Sequence, residues 1–171
     1  MEHANVSAII PTYNRAGFIL DALDSIAAQS LPPSEIIVVD DGSTDNTRDL
    51  LAGRPGIRYF WREHRGVAHS RNFGLGMAGG EYVAWLDADD LWEPDFLRQA
   101  LAAIEAGRDV DGVYTGIAHM DEAGRPLPQR GCRVVRPGDL YAALVEDSFI
   151  ATPALVVRRG CYRAVGDFDT D

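Results

Sequence analysis

Over roughly the first hundred residues, short apolar runs alternate with stretches in which apolar residues recur every three or four positions. A short apolar run between turn signals fits a buried strand, and the longer spacing fits one face of a helix. Residues 6–10 therefore predict a first strand, broken by Pro11. Phe18, Ile19, Ala22, Leu23 and Ile26 predict a helix over 16–29 that ends at Leu31-Pro32-Pro33. A second strand is expected over 35–39, then a helix capped by Ser43-Thr44-Asp45 and reaching residue 52. A third strand over 57–61, a helix over 66–78, the Gly79-Gly80 turn and a fourth strand over 81–86 follow. Pro94 suits the first turn of a helix extending to residue 106. This alternation predicts an α/β fold with a mostly parallel central sheet flanked by helices.

After Asp109 the rhythm changes. Residues 112–120 predict a strand, Asp121-Glu122-Ala123-Gly124 a turn with Gly at the positive-φ position, and 125–136 an extended polar stretch. A helix over 137–146 and a strand over 154–158 follow. With no repeat, low-complexity segment or linker, 1–171 is expected to be a single domain: a nucleotide-binding-style half over 1–109 and a mixed, more irregular part over 110–171.

Composition narrows the function classes. Sixteen basic residues against 26 acidic give a formal net charge of −10. That acid excess argues against nucleic acid as a partner, since such binding depends on clustered cations that displace phosphate counterions. Every basic residue is Arg, so no Lys is present for a Schiff base or a phosphate cradle. No apolar run approaches the ~18–20 residues of a membrane span, and the Met1–Asn5 stretch, with no basic segment before an apolar one, is not expected to be a secretory signal. Cys132 and Cys161 form no CxxC pair, and two free thiols are expected.

Candidate chemistry sits at the predicted strand ends, where ligands of open α/β sheets bind. Three strands end in polar clusters: Thr12-Tyr13-Asn14-Arg15, Asp40-Asp41-Gly42-Ser43 and Asp87-Ala88-Asp89-Asp90. Carboxylates spaced as Asp87 and Asp89 suit Mg²⁺ or Mn²⁺, hard cations that share their remaining positions with water and substrate phosphate. A divalent cation would also reconcile an acidic chain with an anionic nucleotide. Asp41 can accept an N–H from uracil, thymine or guanine. Tyr13 can stack on a base or sit half-buried at its strand end. Arg71 can pair with phosphate through its planar fork, or with Asp40 or Asp87. His64, His69 and His119 lack metal-ligand spacing, and no nucleophile elbow, P-loop or dinucleotide fingerprint follows the first strand.

Taken together, the stretch Val6-Ser7-Ala8-Ile9-Ile10-Pro11-Thr12-Tyr13-Asn14-Arg15, the EIIVVDDGST of 35–44, the GVAHSRN of 66–72 and the GEYVAWLDADD of 80–90 resemble the family 2 glycosyltransferases. The resemblance implies the Rossmann-like GT-A nucleotide-diphospho-sugar transferase fold. It implies inverting transfer of a sugar from a nucleotide-diphosphate donor, commonly uridine-linked, to the hydroxyl of a carbohydrate or lipid-linked acceptor. It further implies that Pro11, Thr12 and Tyr13 line the nucleobase and ribose pocket, Asp41 holds the base, and Arg71 lies near the nucleotide. In the family's DxD motif, Asp87-Ala88-Asp89, the first Asp approaches the ribose or the metal through water. Asp89 ligates the metal, Mn²⁺ or Mg²⁺.

The family's base belongs to an acidic motif that follows a segment like Gly166-Asp167-Phe168-Asp169-Thr170, so Asp169 and Asp171 precede it. The expectation is a domain incomplete at its C-terminus, with the catalytic base after Asp171 and an acceptor-side half begun at 110. A binding-only module, holding nucleotide and metal without transfer, is the competing reading. A haloacid-dehalogenase-type hydrolase would need its nucleophile after the first strand and Thr or Val where Leu91 stands. A receiver domain would need a Lys. A cytoplasmic location is expected, at the inner membrane face if the acceptor is lipid-linked.

Overall fold

A computed structural model describes residues 3–107, 109–121, 124–128 and 133–170. Its strands are β1 (Ala4–Thr12), β2 (Pro33–Asp40), β3 (Arg58–Trp61), β4 (Tyr82–Trp85), β5 (Gly112–Tyr114) and β6 (Leu155–Arg158). They form one six-stranded sheet in the order β3-β2-β1-β4-β6-β5. The first four strands are parallel, whereas β6 runs antiparallel to both β4 and β5. Residues after 109 therefore complete the same sheet, and do not build a separate one.

The strand period of two sorts the core onto two faces. Val6, Ala8 and Ile10 of β1 pack with Ala84 and with helices α1 (Ile19–Ala27) and α4 (Phe96–Ala106). Ile9, Ile37, Val39, Val83 and Trp85 face the opposite way, toward α3 (Val67–Met77). In α1, Ile19, Ala22, Leu23 and Ile26 form the buried stripe that their spacing predicts. Helix α3 approaches the sheet so closely that a Cβ at Gly74 would lie 2.5 Å from Ile9 Cγ2. The remaining helices are α2 (Thr47–Leu51), α5 (Leu140–Glu146) and α6 (Gly160–Val165). Among the described residues, no helix is long and apolar enough to cross a membrane.

Several sequence expectations need correction. Pro11 does not break β1, which continues along β2 to the pair Thr12↔Asp40. Pairing with β4 stops at Ile9↔Trp85, and the Ile9 carbonyl accepts from Leu86 on that side. Pro11 has the same phase as Ile9, so its missing N–H faces a side where no ladder bond remains to be lost. Pro94 precedes the N-cap, Asp95, and is not in the first turn of α4. The predicted strand 112–120 covers only Gly112–Tyr114, and the described part of 125–136 contributes a single bridge, Met120↔Pro126. Gly124 has the expected positive φ of 73°, while Glu122, Ala123, Cys132 and Asp171 lie outside the described residues. Cys161 is a half-buried free thiol whose pKa burial pushes up.

The amino ends of the strands are tied together by Glu35. It accepts from the Ser7 hydroxyl at 2.6 Å, the Gly79 amide at 2.6 Å and the Arg58 guanidinium at 2.5 Å. Burial opposes its ionisation, yet these donors outweigh burial and hold its pKa below the ordinary carboxylate value. A depressed pKa contributes stability that is present above the unfolded value and lost as pH falls through the folded one. Glu35→Gln should thus melt earlier at neutral pH, by about 1–2 kcal/mol. The gap should close on acidification, as followed by thermal melts across pH.

Candidate functional site

Because β1 and β4 part after Ile9 and Trp85, the carboxyl ends of β1, β2 and β4 open onto one cleft of about 370 Å³. Pro11, Thr12, Tyr13, Asp41, Arg71, Asp87, Ala88 and Asp89 all line it. So do Arg15, from the first strand-end cluster, and His64, Gly66, Val67 and Ser70, to which the sequence pattern assigns no ligand contact. His69 and His119 lie outside it.

The first wall is a turn held by Asn14. This residue has φ +52°, a conformation its short amide side chain tolerates, and its Oδ1 accepts the Thr44 amide at 2.8 Å. Its own N–H donates to Ser43 Oγ at 2.9 Å, and the Arg15 amide donates to Thr47 Oγ1 at 3.1 Å. The β1–α1 loop is thereby fixed to the β2–α2 loop, with Tyr13 and Arg15 directed into the cleft. Asp45 accepts the Thr47 amide at 3.0 Å just ahead of α2, but the N-cap is Asn46, without a side-chain cap bond, and not the Ser43-Thr44-Asp45 cap that the sequence predicts.

The paired acids at the end of β2 do different work. Asp40 is fully buried, accepting the Ser43 amide at 2.8 Å and the Tyr59 hydroxyl at 2.6 Å. Burial, followed by that bond and the Asp40 charge, drives the Tyr59 phenol well above its usual pKa. Asp41 lines the cleft and is 4% exposed. Its two oxygens accept the amides of Arg65 at 2.9 Å and Gly66 at 2.8 Å, and His64 Nδ1 lies 2.8 Å from Oδ2. Asp41 thus draws the β3–α3 loop across the cleft, and the His64 ring stacks on Tyr13 at 4.2 Å.

At the end of β4, Ala88 turns into the core while the flanking acids face the cleft. Arg71 Nη2 bonds Asp87 Oδ1 at 2.9 Å, and Arg15 Nε bonds Asp89 Oδ2 at 3.0 Å. Of the two readings of Arg71, the ion pair with Asp87 is the one this structure contains. Asp90 lies next in the chain, and burial followed by the charges of Asp87 and Asp89 raises its pKa. Two buried polar atoms of cleft-lining residues, Thr12 Oγ1 and Arg71 Nε, have no hydrogen-bond partner.

This donor set fits a divalent cation shared with a phosphate ligand. Asp87 and Asp89 supply hard oxygens, each paired with an arginine in this structure. Among the described residues, no group of three His, Cys, Asp or Glu side chains could hold a metal unaided. Mg²⁺ sites commonly use one or two carboxylates and complete their shell with water and substrate phosphate.

The sequence pattern described as Glycosyl transferase family 2 matches residues 7–160. The putative teichuronic acid biosynthesis glycosyltransferase TuaG of Bacillus subtilis is 40% identical over 127 residues, which are 71% of this chain and 50% of TuaG. A mannosyltransferase from Pyrobaculum calidifontis, solved in complex with GDP-Man and Mn²⁺, superposes with a TM-score of 0.69 at 31% identity, over 100% of this chain and 49% of its own. S. aureus TarS 1–349 in complex with UDP-GlcNAc gives 0.68 at 25% identity, over 96% and 47%. The chain spans from about a fifth to about half of the length of the curated relatives it matches.

Proposed function

The chain belongs to glycosyl transferase family 2 and has the GT-A fold, and from that premise we propose that its cleft binds a nucleotide-diphospho-sugar, with uridine as the base, for metal-assisted inverting transfer to an acceptor hydroxyl. The observation that carries this reading is the meeting, at the ends of three strands, of two arginine-paired carboxylates with two buried, unpartnered polar groups. The similarity to structures holding UDP-GlcNAc and GDP-Man supports a nucleotide-sugar donor.

Each residue then has a distinct task. Tyr13 is 40% exposed with His64 against its ring, which leaves ring surface for a base to stack on. Pro11 and Thr12 floor the nucleoside pocket, and Thr12 Oγ1 gains a partner there. Asp41 accepts the base N–H on Oδ1, which only the Arg65 amide engages, while the Gly66 amide and His64 Nδ1 lie at Oδ2. Arg71 and Arg15 turn their spare N–H groups to the diphosphate, and Asp87 faces the ribose. Asp89, with Asp87, would hold Mn²⁺ or Mg²⁺; when bound, the metal supplies charge neutralisation for the departing diphosphate. Ala88 keeps the flanking carboxylates splayed by anchoring in the core.

Inversion also needs a carboxylate to take the acceptor proton on the face opposite the leaving group. We assign that base to none of the cleft residues named above, and read 1–109 as the donor-binding half and 110–171 as acceptor-side.

The nucleotide part is tested by Tyr13→Ala. Stacking on an aromatic ring contributes about 1–3 kcal/mol, so uridine diphosphate should bind about tenfold more weakly by calorimetry, with pyrophosphate affinity unchanged. Equal losses for both ligands would show that Tyr13 does not touch the base.

A further inference from the structure

Successive residues of α3 point in different directions. Arg71 reaches Asp87, whereas the Asn72 side chain clasps the backbone of residue 168. Asn72 Nδ2 donates to the Phe168 carbonyl at 2.8 Å, and the Phe168 amide donates to Asn72 Oδ1 at 2.9 Å. One side chain so satisfies both polar groups of a residue 96 positions away. The clasped residue is not a passive anchor. Its ring meets Trp85 edge-on at 5.1 Å, and the Arg71 guanidinium carbon lies 5.5 Å from the ring centroid. Trp85 is held in turn by Tyr162, whose hydroxyl accepts from the indole N–H at 2.9 Å. The guanidinium is therefore set by Asp87 at one end and by the Phe168 ring beneath it. It is only 15% exposed.

Resting on the donor-site reading above, we propose that Asn72 is a positioning residue that couples the segment 166–170 to the nucleotide cleft, acting through Phe168 and Arg71. If the segment undocks, Arg71 loses the ring below it and the cleft loses a fixed cation. If a diphosphate engages Arg71, the guanidinium is held over Phe168 and the segment is held with it. The two events stabilise each other by the same factor, because coupling between sites is reciprocal.

The test measures amide hydrogen exchange in 166–170 with and without uridine diphosphate and Mn²⁺, and nucleotide affinity in Asn72→Ala and Phe168→Leu. In the wild-type chain the nucleotide should slow exchange at the Phe168 amide severalfold. Asn72→Ala should abolish that protection and weaken nucleotide binding by about fivefold or more, the lower end of ordinary coupling. Phe168→Leu leaves α3 and the backbone clasp intact, and should weaken binding with some protection retained. A purely structural role would lower the melting temperature without making exchange in 166–170 respond to nucleotide. Intact nucleotide binding with unchanged exchange in the wild type, or unchanged affinity in both variants, would overturn the coupling. Failure of the wild type to bind uridine or guanosine diphosphate would overturn the donor-site reading beneath it.

Discussion

Asp89→Ala should remove Mn²⁺-dependent binding of uridine diphosphate, with a loss of roughly 100-fold or more, about 2.8 kcal/mol. The size follows from the donor set. A cation held by one or two protein carboxylates and substrate phosphate has little left when the direct carboxylate is removed. The same substitution should leave the fold untouched. Asp89 is half-exposed, and its partner in this structure is the equally exposed Arg15. Exposed ion pairs of this kind contribute about 0–1 kcal/mol. Asp87→Ala should behave differently, because its partner Arg71 is largely buried and would lose its counter-charge as well as the ligand its setting. A calorimetric series on both variants, paired with thermal melts, separates the two roles. Wild-type affinity in Asp89→Ala would remove this residue from the site.

The second large effect is expected from Gly42→Ala, a residue that touches no proposed ligand group. Gly42 follows Asp41 with φ +81°, a left-handed conformation that costs an L-residue roughly 1–2 kcal/mol. A Cβ there would also lie 2.9 Å from the His64 amide nitrogen and 3.1 Å from the Arg62 carbonyl, both backbone atoms that cannot rotate aside. Such overpacking adds about 1–3 kcal/mol. The summed cost of about 2–5 kcal/mol should appear as a lowered denaturation midpoint. Relief requires the β3–α3 loop to move, and that loop supplies the amides bound by Asp41 and the ring stacked on Tyr13. Nucleotide affinity should therefore fall with stability. A variant with full stability and unchanged affinity would show that the loop is not held as described.

The residues legible from sequence share one property: they sit at the ends of strands that periodicity locates. Once β1, β2 and β4 are placed, Thr12, Tyr13, Asp41, Asp87 and Asp89 fall on one edge whatever the loops do, and Arg71 follows from the helix that precedes β4. His64 and Gly66 were out of reach because their place depends on the Asp41 carboxylate capturing two amides, which leaves no pattern in the chain. Arg15 belonged to a visible polar cluster, but its reach to Asp89 depends on the Asn14 turn. The short α6 has no buried residue to give it a period. Past Tyr114 the backbone pairs, among the described residues, only through the Thr115 amide on the Ala154 carbonyl and then, around Met120, with 126–127, so 115–120 does not extend β5 as the apolar run from 112 suggests.

The central claim is that three strand ends build a site for a nucleoside diphosphate and a divalent cation together. Titration of uridine diphosphate into the folded chain, with and without Mn²⁺, measures it most directly. Saturable binding that requires the metal is the expected result. Binding of equal strength without metal, or no binding to a folded sample, would contradict it.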